Sequence, residues 1–222
     1  MVTVSQPLTL AALDAAIAPH FLRVFGALHP QPDASLPDGT GTLVLFGPRE
    51  PGFWALVTAQ PEMRDGAPDP LDRWSKRVIG GLADTVGGTG LFPSDGPPYP
   101  PFIGWAVASG RAWRSPVGLL VHDYAGLFLS YRGALAVPQR LDLSPPARTP
   151  CDTCADQPCR AACPVGALTP DTYDVPVCKA HLRTPHGHDC LTSGCAARRA
   201  CPISQQYGRV EAQSAFHMKA FL

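Results

Sequence analysis

The chain has 222 residues, with 18 basic and 18 acidic side chains and a formal net charge of zero. That balance excludes the broad basic field expected of a protein held by nucleic acid or by an anionic membrane surface. Hydrophobic residues make up 45% of the chain, normal for a globular protein, so the 26 prolines and 21 glycines imply many turns rather than disorder.

The opening stretch, MVTVSQPLTLAALDAAIAPHF, has no basic segment and carries Asp14 inside its apolar run, which argues against a secretory leader. No run approaches the roughly 18 apolar residues that span a bilayer. A cytoplasmic, reducing setting without a membrane is therefore expected, and it disfavours disulfides.

Thr9 is placed to cap a first helix, with Leu10, Leu13, Ile17 and Phe21 at helical spacing. A strand is expected within Phe21 to Leu28, and TLVLF from Thr42 to Phe46 reads as a buried strand. The segment Gly52 to Thr58 is read as a strand that pairs with it. Asp69, Pro70 and Asp72 mark a helix start, and Leu71, Trp74, Val78 and Leu82 share its apolar face, with Gly80 and Gly81 weakening its end. TGLFPSDGPPYPPF reads as loop, followed by a short helix from Phe102 to Ser109 closed by Gly110. Val117 to Val137 reads as two strands joined around His122 to Gly126. The residues from Pro138 to Pro150 form a linker, which divides the chain into an α+β domain, 1–145, and a cysteine domain, 146–222. In the latter, Asp174 before Pro176 is placed to cap a helix carrying Cys178, and a last helix is expected from Arg209 to Phe221.

All eight cysteines fall between Cys151 and Cys201. The first four, Cys151, Cys154, Cys159 and Cys163-Pro164, are separated by two, four and three residues, against two, two and three in bacterial ferredoxins. Cys178, Cys190, Cys195 and Cys201-Pro202 follow. In two-cluster ferredoxins each Cys-Pro cysteine serves the other cluster. On that rule one [4Fe-4S] cluster takes Cys151, Cys154, Cys159 and Cys201, and the other takes Cys163, Cys178, Cys190 and Cys195. Arg160, Arg198 and Arg199 are candidates to offset the clusters' negative charge. Competing readings are a disulfide framework, and a zinc site built on the Cys151/Cys154 pair with His181, His186 or His188. Structural zinc usually shows two such pairs, and one is present.

The cysteine region resembles the iron-sulfur part of epoxyqueuosine reductases. The resemblance rests on CDTCADQPCRAACPVGAL, on YDVPVCKAHLR and on the closing thiols ending in Cys-Pro. Upstream, GLLVHDYAGLFLSYRGALAV is similar to a turn and strand of those reductases and of vitamin B12-processing proteins with a nitroreductase-like fold. That similarity implies an N-terminal α+β sandwich with a cobalamin or flavin site, to which His122 and Tyr124 would contribute, with Gly126 matching as well. It also implies a proton donor at Asp95, within SDGPPY. Asp123 stands where that turn usually has proline, and the reductases' Gly-Lys-Asn triplet is not present. The bland alternatives are a hydrogen-bonded structural role for His122, an ordinary turn for Asp95, and core packing for Trp54, Trp74, Trp105 and Trp113. No glycine-rich phosphate loop occurs.

The sequence therefore supports an iron-sulfur electron-transfer protein, part of a reductase supplied by a ferredoxin- or flavodoxin-type donor protein and acting on a small molecule. A non-enzymatic carrier and a zinc-stabilised interaction module are the alternatives.

Overall fold

A computed structural model describes residues 7–30 and 36–222. The first six residues of the opening stretch, read above as no secretory leader, lie outside the described residues. In chain order the elements are α1 (Leu10–Ile17), β1 (Leu22–Leu28), β2 (Thr42–Pro48), α2 (Phe53–Thr58), α3 (Pro70–Val86), β3 (Thr89–Leu91), α4 (Phe102–Ala108), β4 (Ala112–Arg114), β5 (Leu120–His122) and β6 (Gly133–Val137). Five helices follow: α5 (Val175–Leu182), α6 (His188–Ser193), α7 (Ala196–Ala200), α8 (Pro202–Tyr207) and α9 (Glu211–Phe221). The architecture is mixed α+β with small antiparallel sheets. The chain divides into two compact units, Met1–Ser109 with Ser130–Pro146, and Gly110–Leu129 with Ala147–Leu222.

The first unit is built on a four-stranded antiparallel sheet of order β1-β2-β6-β3. Every residue of β2 and β6 is buried, as central strands covered on both faces must be. On one face Leu43, Leu45, Ala134 and Ala136 pack with Phe102 and Trp105 of α4. Residues of β6 on the other face meet α3, where Gly133 leaves room for Ile79 and Phe92. Thr9 caps α1 as its sequence suggests, its hydroxyl accepting from the Ala12 amide at 3.1 Å.

Several local expectations change. Gly52 to Thr58 forms helix α2 rather than a strand, because Phe53 and Val57 are four residues apart and bury together as one helical stripe. Asp69 sits at the N-cap of α3, but its side chain makes no capping bond. The residue before a proline is steered away from right-handed helix; Asp69 adopts φ +51°, and its carbonyl accepts from the Asp72 and Arg73 amides. Helix α3 runs through Gly80 and Gly81 to Val86 and ends at Gly87, whose φ is +68°. The loop expected after it contains β3, which pairs with β6. The two strands expected around His122 to Gly126 do not pair with each other as one hairpin. β5 pairs with β4 in a separate two-stranded sheet, and β6 crosses to β2 and β3. The expected boundary at 145/146 lies beside the Pro146/Ala147 division, while 110–129 belongs to the cysteine unit.

Two arginines of α3 fasten the turn before it. Arg73 donates to both carboxylate oxygens of Asp65 and to the Glu62 carbonyl, while Arg77 holds the nearly buried Glu62 carboxylate at 2.5 Å. The hydrogen bond from Arg77 outweighs burial and keeps the Glu62 carboxyl below the usual carboxylate range. A carboxyl lowered in the folded state stabilises above its unfolded pKa and loses that contribution as pH falls through the folded value. Arg77→Met is expected to cost about 1 kcal/mol near neutral pH, since the arginine is half exposed. It is also expected to flatten the decline of stability below about pH 4.3. Urea unfolding of both proteins across acid pH checks this; parallel curves would contradict it.

Candidate metal centre

The second unit places its eight cysteines on short elements and tight turns. Cys151 and Cys159 each sit in a single 3-10 turn opened by proline, Pro150–Thr153 and Pro158–Arg160. Cys163 precedes a turn in which Gly166 takes φ +60°, bringing the Ala167 N–H to Cys163 Sγ at 3.3 Å. Asp174 caps α5 as expected, its carboxylate accepting from the Val177 amide at 3.0 Å, and so fixes the helix that carries Cys178. Cys190 lies on α6, Cys195 is the N-cap of α7, and Cys201 is the N-cap of α8, with Pro202 in the first helical position. All eight are free thiols.

Four of these thiols surround one space. Cys151, Cys154, Cys159 and Cys201 line a cavity of roughly 140 Å³, walled by Val121, Leu127 and Ile203. The space is partly open to the surface, and Cys151 and Cys154 are only half-buried beside it. Val121, Leu127, Cys159 and Cys201 also belong to the unit's apolar core. Burial pushes the Cys151 and Cys159 thiols above the usual range; Cys201 and Cys154 raise both further, and Cys151 raises Cys159. In the other set, burial again raises Cys178 and Cys190. Cys195 adds to both, and Cys163 adds to Cys178. Cys151 and Cys159 thus feel Cys154 and Cys201, while Cys178 feels Cys163 and Cys195, and Cys190 feels Cys195.

These sets fit a cube of iron and sulfide by donor chemistry. All-thiolate sites select zinc, copper(I) or iron-sulfur centres. Among the described residues, no group of three or more His, Cys, Asp or Glu side chains is gathered closely enough to hold a metal ion. His186 and His188 are exposed, and His181 lies on α5.

The hairpin β4-β5 and its following turn wall the first set. Ser204 Oγ on α8 accepts from the Leu127 amide at 2.8 Å, and Arg198 Nη1 donates to the Leu127 carbonyl. Gly126, at φ +58°, passes so close to the Ser204 backbone that any Cβ would collide with it. His122 is 1% exposed, and its Nδ1 accepts the Tyr124 and Ala125 amides at 3.0 and 3.3 Å. Arg111 holds one oxygen of the neighbouring Asp123 carboxylate at 2.5 Å, and the other oxygen lies 3.1 Å from His122 Nδ1. The Tyr124 ring packs edge-on against Tyr207. His122 and Tyr124 therefore close a turn within the cysteine unit.

Asp95 belongs to the first unit. Its carboxylate accepts from the Phe92 amide at 2.9 Å and pairs with Lys76 at 2.7 Å, the geometry of an ordinary turn. Trp74 and Trp105 are core residues. Of the three arginines considered as charge partners, Arg199 binds Asp189 and the Gly194 carbonyl, and Arg160 bonds to Gln157. Arg199 also lowers the Cys190 thiol, against the larger effect of burial. No motif in the sequence marks Tyr173 or Ser204 as a partner of the cysteine region.

No family model matches the chain, and no curated protein or solved structure matches it either. No helix among the described residues is long and apolar enough to cross a membrane.

Ser204→Ala would leave the buried Leu127 N–H without its acceptor, at a cost of about 1–3 kcal/mol. Amide exchange at Leu127 is expected to accelerate in that variant, and unchanged protection would show that the bond does not hold the wall in place.

Proposed function

We propose that the protein is an iron-sulfur electron-transfer protein whose second unit binds two [4Fe-4S] clusters in a ferredoxin-like manner. The supporting observation is the joining of Cys201 to Cys151, Cys154 and Cys159 around one apolar-walled cavity. When bound, such clusters accept and pass on single electrons. The chain's own residues would supply eight thiolates, set Val121, Leu127 and Ile203 as apolar walls beside the first set, and offer the Ala167 amide to Cys163.

The local engagement of His122 and Tyr124 within the cysteine unit favours the carrier form of this reading, in which electrons pass between partner proteins such as a ferredoxin or flavodoxin. Membership of a reductase, with a nitroreductase-like first unit holding cobalamin or flavin, is the second form. The first unit's α+β sheet, covered by helices on both faces, is compatible with it. Corrinoid or flavin retained by, or added to, the purified protein would select the second form.

Protein prepared without oxygen is expected to be brown, with broad absorbance near roughly 400 nm and about eight irons and eight sulfides per chain. Cys201→Ser is expected to disturb one centre and Cys163→Ser the other, leaving different spin-resonance signals after reduction. Identical residual signals would sink the pairing, and colourless zinc protein would sink the function.

A further inference from the structure

The segment between Cys163 and Cys178 is pinned at both ends. Residues 168 and 173 form a β-bridge, the Asp174 amide donates to the Ala167 carbonyl at 2.8 Å, and Asp174 caps the helix carrying Cys178. Tyr173 is thus anchored between two elements that each present a thiol of the second set. Its ring stacks on Phe221 of α9, centroids 6.0 Å apart with planes 12° from parallel, and Lys179 lies over the other partner's ring at 5.1 Å. From this position the hydroxyl donates to Cys178 Sγ at 3.4 Å.

A tyrosine whose backbone and ring are both held, and whose hydroxyl meets a sulfur, does more than fill space. A hydrogen bond donated to a ligating sulfur draws negative charge from it and favours the more reduced state of the centre. We infer that Tyr173 is a positioning residue that raises the reduction potential of the centre held by Cys163, Cys178, Cys190 and Cys195, with Phe221 holding its ring in place. The inference rests on the iron-sulfur reading above. The couple concerned is one electron into the centre; Tyr173 keeps its proton and no bond of the protein breaks.

The test is a dithionite-poised redox titration of the oxygen-protected full chain, followed by spin resonance, with Cys163→Ser identifying the second centre's signal. Tyr173→Phe preserves the stacked ring and removes only the hydroxyl. It is expected to leave iron and sulfide content unchanged and to move the second centre's midpoint to lower potential, with the first centre's unmoved. Phe221→Ala, which frees the ring, is expected to shift the same signal in the same direction by a smaller amount. The inference is overturned if Tyr173→Phe leaves the second midpoint in place, moves both equally, or loses that centre's iron altogether. Wild-type protein that takes up no iron and sulfide would instead refute the iron-sulfur reading, and this inference with it.

Discussion

Four sulfur atoms gathered around one space, where burial and then Cys201 and Cys154 push the Cys151 and Cys159 thiols above the usual range, are the feature around which the second unit is arranged. Cys201, far along the chain from Cys151, Cys154 and Cys159, is brought beside them in an apolar-walled cavity. As thiols the four are tolerated there; as thiolates, without a cation, they would repel one another in a setting of poor solvation. The proposed metal centre would remove the conflict, because the positive charge of a metal deprotonates the thiols it binds and couples that binding to folding.

The surrounding architecture is compatible with such a centre. The second unit has five helices, a two-stranded sheet of three residues per strand and a core in which Cys159 and Cys201 are themselves members. Small units with so little apolar interior commonly rely on metal for part of their stability. Proline starts the turns at Cys151 and Cys159 and the helix after Cys201, fixing the backbone before each thiol is placed. The hairpin is fastened by Ser204 and Arg198, so a wall of the first set comes from a segment far away in sequence. The first unit needs none of this: its two central strands are buried throughout, and its charged pairs lie at the margins of α3.

Features set by neighbours in sequence were legible. The capping roles of Thr9 and Asp174 and the long amphipathic α3 all depend on short-range patterns. What stayed hidden depends on distant partners. Leu127 and Ser204 are 77 positions apart, so no local pattern assigns the hairpin to the cysteine unit. Gly52 to Thr58 is equally apolar as strand or helix, and burial of Phe53 with Val57 decides the matter. The hydroxyl of Tyr173 becomes visible only when Phe221, from the last helix, is seen against its ring. Likewise, the turn of His122 resembles a cofactor loop in sequence, yet its imidazole is taken up by two adjacent backbone amides.

The most direct measurement is the native mass spectrum of the full chain isolated and sprayed without oxygen. This account expects the main species to exceed the polypeptide mass by two four-iron, four-sulfide cores, with Cys201→Ser carrying one core fewer at most. A main species at the bare polypeptide mass, or one heavier only by zinc, would contradict it.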